Sequence, residues 1–465
     1  MLKAISAKSR YDNSFNRQAK NKQDSMQVDQ LQQIAQDIIR LTQTAGASSA
    51  ETEVSFGMGQ SVSVRQGETE NIEYNRDKGC SVTVYFGQQK GYASTSDLSP
   101  QALRDTVEAA CNIAKYTAQD PFCGLADADL MATSFPDLSL HHPWQIEVDE
   151  ALELAKRCEA AALAVDRRIS NSEGASVYTQ SGAFAYANSH GFVGGYASSR
   201  HSLSCSVIAE ADGLMQRDYW YSSARDANDL SSPEQVGQIA GERTAKRLGA
   251  RAIKTGKYPV LFEAPLASGL IGTLMSAISG GNLYRKSSFL LDSLGQTIAS
   301  PLLHIEDNPF VLKGAASSAF DSEGVACQTR TLVENGVLQG YLLGSYSARK
   351  LGLKTTGNAG GAHNILVRSS GHSLEQLLHT MGTGLLVTEL LGHGLNMVTG
   401  DYSRGAAGYW VENGVIVHPV EEITIASNMK DMLKNITAIG NDVIPNSSKL
   451  TGSILIEHMT VASSE

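Results

Sequence analysis

From Ser176 to Ser223 the chain reads SVYTQSGAFAYANSHGFVGGYASSRHSLSCSVIAEADGLMQRDYWYSS, with apolar and polar residues alternating through most of its length. A period of two places successive side chains on opposite faces of a strand. Strands of this length must find partners, and the nearest in sequence are each other. Asp212-Gly213 supplies the positive φ angles of a two-residue hairpin turn. Antiparallel hairpins are therefore expected here. Two further hairpins share the string VENGV, at Val333–Val337 and Val411–Val415. Asn-Gly is the turn-forming element of both, so the repeat reads as shared turn chemistry rather than duplication.

Helices are marked by their stops and starts. Leu31, Ile34, Ile38, Ile39 and Leu41 fall largely on one side of a helix from Val28 to Thr44. Alternating runs follow, ETEVSF, SVSVRQ and CSVTVYF, separated by glycine turns. Ser99-Pro100 opens a second helix, serine as N-cap and proline at the first position. A third is expected from Val148 to Val165. Ser232-Pro233-Glu234-Gln235 and Ser373-Leu374-Glu375-Gln376 are capping-box strings that start two more. The fold class is α+β. Its parts are a disordered extension over 1–27, a mixed α/β domain over 28–120, a linker and central β-rich region over 121–232, and an antiparallel β-rich region with short helices over 233–465. Met26 directly precedes the first amphipathic helix and is the expected native start. No signal-peptide core precedes it and no apolar run is long enough for a membrane span, which points to the cytoplasm.

Charge and cysteine usage narrow the chemistry. A net charge of −10 argues against a broad nucleic-acid surface, which needs a basic face. Six scattered cysteines form no C-x-x-C pair and read as thiols of a reducing compartment. No nucleophile elbow, P-loop, dinucleotide fingerprint or H-E-x-x-H string is present. His141-His142 lacks partner ligands at useful spacing. In LLHIEDNP, His304, Glu306 and Asp307 read as a solvated acidic loop, one histidine being too few for a zinc site. Glycine and polar residues concentrate in TTGNAGGAHN (355–364) and TGDYSRGAAGYWVENG (399–414). Such segments serve either as tight turns or as a groove where an extended peptide pairs with a strand edge. Between them and the central hairpins lies LASGLIGTLMSAISGGNLYRKSS (266–288). Leu270, Leu274 and Ile278 make an apolar stripe, and nothing in that helix can hold a metal or move a proton.

Longer strings resemble a known family. FDSEGVACQTRTLVENGVLQGYLLGSYSARKLGLKTTGNAGG (320–361), TGDYSRGAAGYWVENGVIVHPV (399–420), AIGNDV (438–443) and the segment 61–100 are similar, in order and spacing, to the TldD/PmbA family, closest to its PmbA (TldE) branch. The resemblance covers nearly all of residues 28–462. It implies zinc metallopeptidases of mixed α/β fold that pair as dimers. These act in proteolysis of small or unfolded polypeptides, in peptide-antibiotic precursor maturation and antitoxin degradation. It also implies that the TldD branch holds zinc on an H-E-x-x-x-H helix with a later cysteine, which leaves one coordination position for water.

At the matching positions this chain has Ile271, Gly272 and Ser276, with Thr451 near the place of the cysteine. The resemblance therefore implies no catalytic residue, no metal and no cofactor in this chain. Zinc is expected in a TldD-like partner subunit, bound as a heterodimer, with a homodimer open to the chain alone. Gly357, Asn358, Gly360, Gly361, Asp401, Tyr402 and Arg404 are the candidate peptide-binding residues. Arg404 meets either a substrate carboxylate or carbonyl, or Asp401. Two alternatives stand beside this reading: a metallopeptidase active on its own through His363 and His393, and a regulator of a DNA topoisomerase acting by protein contact.

Overall fold

The computed structural model describes residues 27–463. The extension expected over 1–27, with Met26, lies outside the described residues except for Gln27. Two compact units divide the chain. The first takes the chain up to Met58 with Asn75–Leu125 and Ser181–Ser198; the second takes Gly59–Tyr74, Ala126–Gln180 and everything from Ser199.

Helix α1 (Val28–Thr44) precedes strands β1 (Ser49–Arg65), β2 (Glu68–Phe86) and β3 (Gln89–Thr95), and α2 (Pro100–Tyr116) follows; all belong to the first unit except the hairpin end of β1 and β2 at 59–74, which belongs to the second. Ser99 caps α2 as its side chain accepts the Ala102 N–H. Leu31, Ile38, Val54, Val82, Val84 and Val107 meet in one buried cluster. The stripe of α1 thus rests on the inward residues of the strands, the source of most helical stability in proteins. One expectation fails here. ETEVSF and SVSVRQ belong to the single strand β1, which runs through Gly57 and Gly59 without a turn. Glycine serves close packing instead: a Cβ on Gly182 would lie 2.6 Å from Phe56 O and 3.2 Å from Gly57 Cα. The true turn is Gln66-Gly67, with φ values of 52° and 76°.

The second unit holds α3 (Val148–Leu163), β6 (Leu214–Ala224) and α4 (Pro233–Lys246) wholly, and β4 (Ile169–Asn188) and β5 (Val193–Ala211) mainly. β5 and β6 pair antiparallel across Asp212-Gly213, Ala211 facing Leu214. Glycines at i and i+4 let α4 lie close on α3: a Cβ on Gly237 would sit 2.0 Å from Cys158 O, and one on Gly241 2.6 Å from Ala162 O. Gly237→Ala gains helix propensity of about 1 kcal/mol but forces the two helices apart. A net loss of about 1–3 kcal/mol is expected from such overpacking, read as a lower urea midpoint. An unchanged or raised midpoint would contradict it.

The rest of the second unit holds β7 (Gly256–Phe262), α5 (Ala264–Ala277), α6 (Gly280–Tyr284), β8 (Ile305–Asn308), β9 (Arg330–Glu334), β10 (Val337–Leu338), α7 (Ser345–Leu351), β11 (Asn364–Val367), α8 (Leu374–Met381), β12 (Gly384–Leu391), β13 (Asp401–Glu412), β14 (Val415–Asn428), α9 (Met429–Lys434), β15 (Ile436–Ile439), β16 (Lys449–Leu450) and β17 (Ile454–Ser463). One sheet runs β14-β13-β12-β7-β17-β15, with a further pairing of β14 to β17. The other runs β10-β9-β8-β11-β16. Most pairs are antiparallel, as the α+β class requires; β12–β7 and β11–β16 are parallel. Both VENGV turns are tight hairpins, with φ of 48° and 79° at Asn335-Gly336 and 52° and 78° at Asn413-Gly414. α5 buries one face, with Leu270 and Leu274 at 6 and 0% exposure and Ile278 at its C-cap at 0%. That face belongs to the largest buried cluster of the unit, while Ser268, Gly269, Gly272, Thr273 and Ser276 make a less buried face of small and polar residues.

Candidate functional site

α5 ends its passage through the core at one bare patch. Ile271 is fully buried in the cluster around β7 and β12. Gly272 has no side chain, and the stem of Lys449 fills the space: a Cβ there would lie 3.1 Å from Lys449 Cε and 3.9 Å from its Nζ. Ser276 Oγ donates to Gly272 O at 3.0 Å, folded back onto its own helix. Thr451 is buried and its hydroxyl donates to Gly452 O at 3.0 Å. Zinc in protein sites takes imidazole, thiolate or carboxylate ligands. These four positions offer none, so the donor set does not fit the metal. Among the described residues no three His, Cys, Asp or Glu side chains are placed to hold a metal ion.

A cavity of about 230 Å³ opens beside this patch. Ser268, Lys449 and Thr451 line it on one side, Tyr219, Trp220 and Leu390 among others elsewhere. Its carboxylates are neutralised by arginines. Asp218 lies 3.4 Å from Arg243 Nε and 3.7 Å from Arg247 Nη1, and Glu389 pairs with Arg247. Arg243 also donates to both oxygens of Glu263, at 2.7 and 3.1 Å. Lys449 has no ionic partner among the described residues.

The loop 355–364 is built inward. Gly357 and Asn358 are buried, whereas Gly360 and Gly361 are exposed. A Cβ on Gly357 (φ 70°) would press within 2.7 Å of Ala326 O, so no other residue fits without strain. Asn358 Oδ1 accepts from Arg330 Nη1 at 2.9 Å and Thr356 Oγ1 at 2.8 Å. Its amide donates to Asp307 Oδ2 at 2.8 Å. Asp307 also accepts from His363 N at 2.8 Å and lies 3.1 Å from His363 Nδ1.

Asp307 is therefore no solvated loop residue. It is 0% exposed and anchors the loop from strand β8. Asp307 Oδ2 faces the His363 ring at Nδ1, and Cys327 Sγ lies 3.2 Å from the other ring nitrogen, Nε2, and donates to Gly357 O at 3.6 Å. Burial, with the Asp321 and Asp307 carboxylates, pushes the Cys327 thiol far above its usual range. It is a buried thiol, not a nucleophile. His363 thus spends both ring nitrogens inside the protein, and His393 is exposed.

On β13, Asp401 is exposed and accepts from Thr399 Oγ1 at 2.7 Å and Asn428 Nδ2 at 3.1 Å. Arg404 forms no ion pair with it among the described residues. Tyr402 is buried, and neither its hydroxyl nor Arg404 Nε has a hydrogen-bond partner there. Burial pushes the Tyr402 phenol up to about 12, the Arg404 guanidinium opposing.

Known proteins resemble the chain in sequence and fold. Residues 51–114 match the PmbA/TldA metallopeptidase domain 1, residues 141–248 the central domain and residues 255–463 the C-terminal domain. The chain belongs to the PmbA/TldD metallopeptidase family. It is 53% identical to Metalloprotease PmbA of Escherichia coli O157:H7 over 413 residues, 89% of this chain and 92% of that one. A Haemophilus influenzae Metalloprotease PmbA homolog is 50% identical over 94% of this chain and 97% of its own. A Metalloprotease TldD homolog of the same organism is 24% identical over 79% of this chain and 80% of its own. The PmbA branch is thus the one this family member joins. Among solved structures, a Bacteroides thetaiotaomicron protein described as a candidate modulator of DNA gyrase superposes with a TM-score of 0.88 at 28% identity, covering 93% of this chain and 98% of its own. TldE from Thermococcus kodakarensis shares the fold, with a TM-score of 0.82 at 20% identity over 92% of this chain and all of its own.

Residues that sequence reasoning missed include most of those lining the cavity, Thr451 excepted. Lys449, Tyr219, Trp220 and Glu389 carry no motif, and only folding brings them to α5. No helix among the described residues is long and apolar enough to cross a membrane.

Proposed function

We propose that this chain is the non-hydrolytic subunit of a zinc peptidase whose metal is held by a TldD-like partner. One observation carries the reading: the helix that the family resemblance makes the ligand helix has a glycine and a lysine stem where a base and a metal would have to meet. The chain then contributes peptide binding and completes the assembly, as a heterodimer with that partner. The substrates are small or unfolded polypeptides, including peptide-antibiotic precursors and antitoxins. The exposed Gly360-Gly361 segment is where an extended peptide would meet the chain; at 401–404 the backbone is paired with β14 on one side and with Gly394 and Asn396 on the other, which leaves only the exposed Asp401 side chain for contact.

The test is a peptidase assay on an unfolded polypeptide with this chain alone, the TldD-like partner alone, and both together, metal content being measured in each. Activity is expected wherever the partner is present and highest in the mixture. Turnover by this chain alone, with stoichiometric zinc, would refute the reading. A second reading, contact with a DNA topoisomerase, is favoured by the description of the Bacteroides neighbour. With a net charge of −10 the contact would be to protein rather than DNA. It predicts co-purification with the enzyme in the absence of DNA.

A further inference from the structure

The cavity beside Gly272 has a charge pattern that selects its occupant. Asp218 and Glu389 are each held by arginines, Arg243 is shared by Glu263 and Asp218, and Arg217 pairs with Glu173 at 3.2 Å. One ammonium, Lys449, is left without an ionic partner among the described residues. It is half-buried, and its backbone is fixed on both sides. Ser447 Oγ accepts from Lys449 N at 3.1 Å, and Ile365 N donates to Ser448 O at 2.7 Å where β16 meets β11. Asn446, at the start of the same segment, donates to Tyr221 O at 2.8 Å. The ammonium is thus presented from a held backbone, with its stem on the bare helix.

A single positive charge among neutralised pairs matches a monoanion. A metal ion would be repelled, and a phosphate dianion would meet Asp218 and Glu389 with only one free cation to balance it. The uncharged walls combine an apolar and aromatic side (Pro265, Leu266, Trp220, Leu390 and Ile444) with hydroxyl and amide groups from Ser268, Thr388, Asn446, Ser447 and Thr451. At about 230 Å³ the space is below the range typical of drug-sized ligands and suits one amino-acid residue.

We infer that this cavity takes the C-terminal residue of a peptide, with its carboxylate on Lys449 Nζ and its side chain against Trp220 and Leu390. The inference rests on the peptide-subunit reading above. A terminal residue places carboxylate and side chain in one small space, which an internal acidic residue does not. The relic of the metal site thereby becomes an anchor for the peptide's end.

The experiment uses the full chain, alone and with the TldD-like partner. It measures fluorescence anisotropy of a labelled, apolar-ended peptide as free acid, as C-terminal amide, and as an amide with a glutamate as last residue. The free acid is expected to bind about tenfold or more tighter than the amide, the scale of one charge-assisted hydrogen bond. Lys449→Met should abolish that preference and Lys449→Arg should largely keep it; circular dichroism checks that both are folded. Equal binding of free acid and amide to the wild-type chain overturns the inference while leaving the peptide-subunit reading intact. So does a preference that survives Lys449→Met. An amide ending in glutamate that binds as well as the free acid assigns the pocket to a side-chain carboxylate and overturns the terminal one. If no peptide binds to the chain or the complex, the broader reading fails with it.

Discussion

Asp307→Ala is expected to destabilise the second unit by about 3–5 kcal/mol, the cost of leaving buried polar partners without their acceptor. Three partners lose that carboxylate together: His363 N, Asn358 Nδ2 and the His363 ring at Nδ1. Asp307 and Asn358 are 0 and 4% exposed, and His363 is 7% exposed, so water cannot easily replace the carboxylate. The damage should spread along the loop. Asn358 also receives Arg330 and Thr356, and burial already works against the Arg330 charge. The urea midpoint should fall, and limited proteolysis should cut first at the exposed Gly360-Gly361. Asp307→Asn keeps the volume and one acceptor but turns an N–H toward other donors, so an intermediate loss is expected. A midpoint for Asp307→Ala within experimental error of wild type would remove the anchoring role.

Asp307 also shows what could be read in the sequence and what could not. In LLHIEDNP, Leu303, Ile305 and Asp307 stand two apart, and all three are fully buried. The period-two signal was present, and it put the carboxylate on the inward face. The solvated reading follows from too few metal ligands in the string, and a buried carboxylate is unfavourable unless partners wait for it; those partners, Asn358 and His363, are some fifty residues away. Turns were legible for the opposite reason. Asp212-Gly213, Asn335-Gly336 and Asn413-Gly414 fix their own backbone angles, so two adjacent residues carry the whole signal. The same holds for Ser99 and Ser373, whose side chains bond the third residue on. Gly57 misled because a glycine in a strand and a glycine in a turn look alike until the neighbour at Gly182 is known. The cavity lies at the far end of this scale. Its walls come from residues near 218, 265, 389 and 448, and no local pattern links them.

Writing into the chain the metal ligands that the family resemblance implies is the harshest test of that buried context. Ile271→His, Gly272→Glu, Ser276→His and Thr451→Cys together restore the implied donors, yet zinc well below one ion per chain is expected. Ile271 is fully buried among the side chains of the core. An imidazole there forfeits apolar burial and brings a polar group without a partner, together about 4 kcal/mol or more. Gly272→Glu meets Lys449 first, since any Cβ stands 3.1 Å from its Cε. The new carboxylate would pair with that ammonium, and a paired carboxylate is a poor base for a metal-bound water. The single Gly272→Glu substitution should therefore be tolerated far better than Ile271→His, a contrast that urea midpoints can read. Adding Lys449→Met should relieve the contact at Gly272 without recovering the metal, because the imidazole at 271 still faces the core. Stoichiometric zinc in the fourfold variant, with a midpoint close to wild type, would place the division of labour in four side chains alone. The expected failure would place the proposed division of labour in the packing around α5.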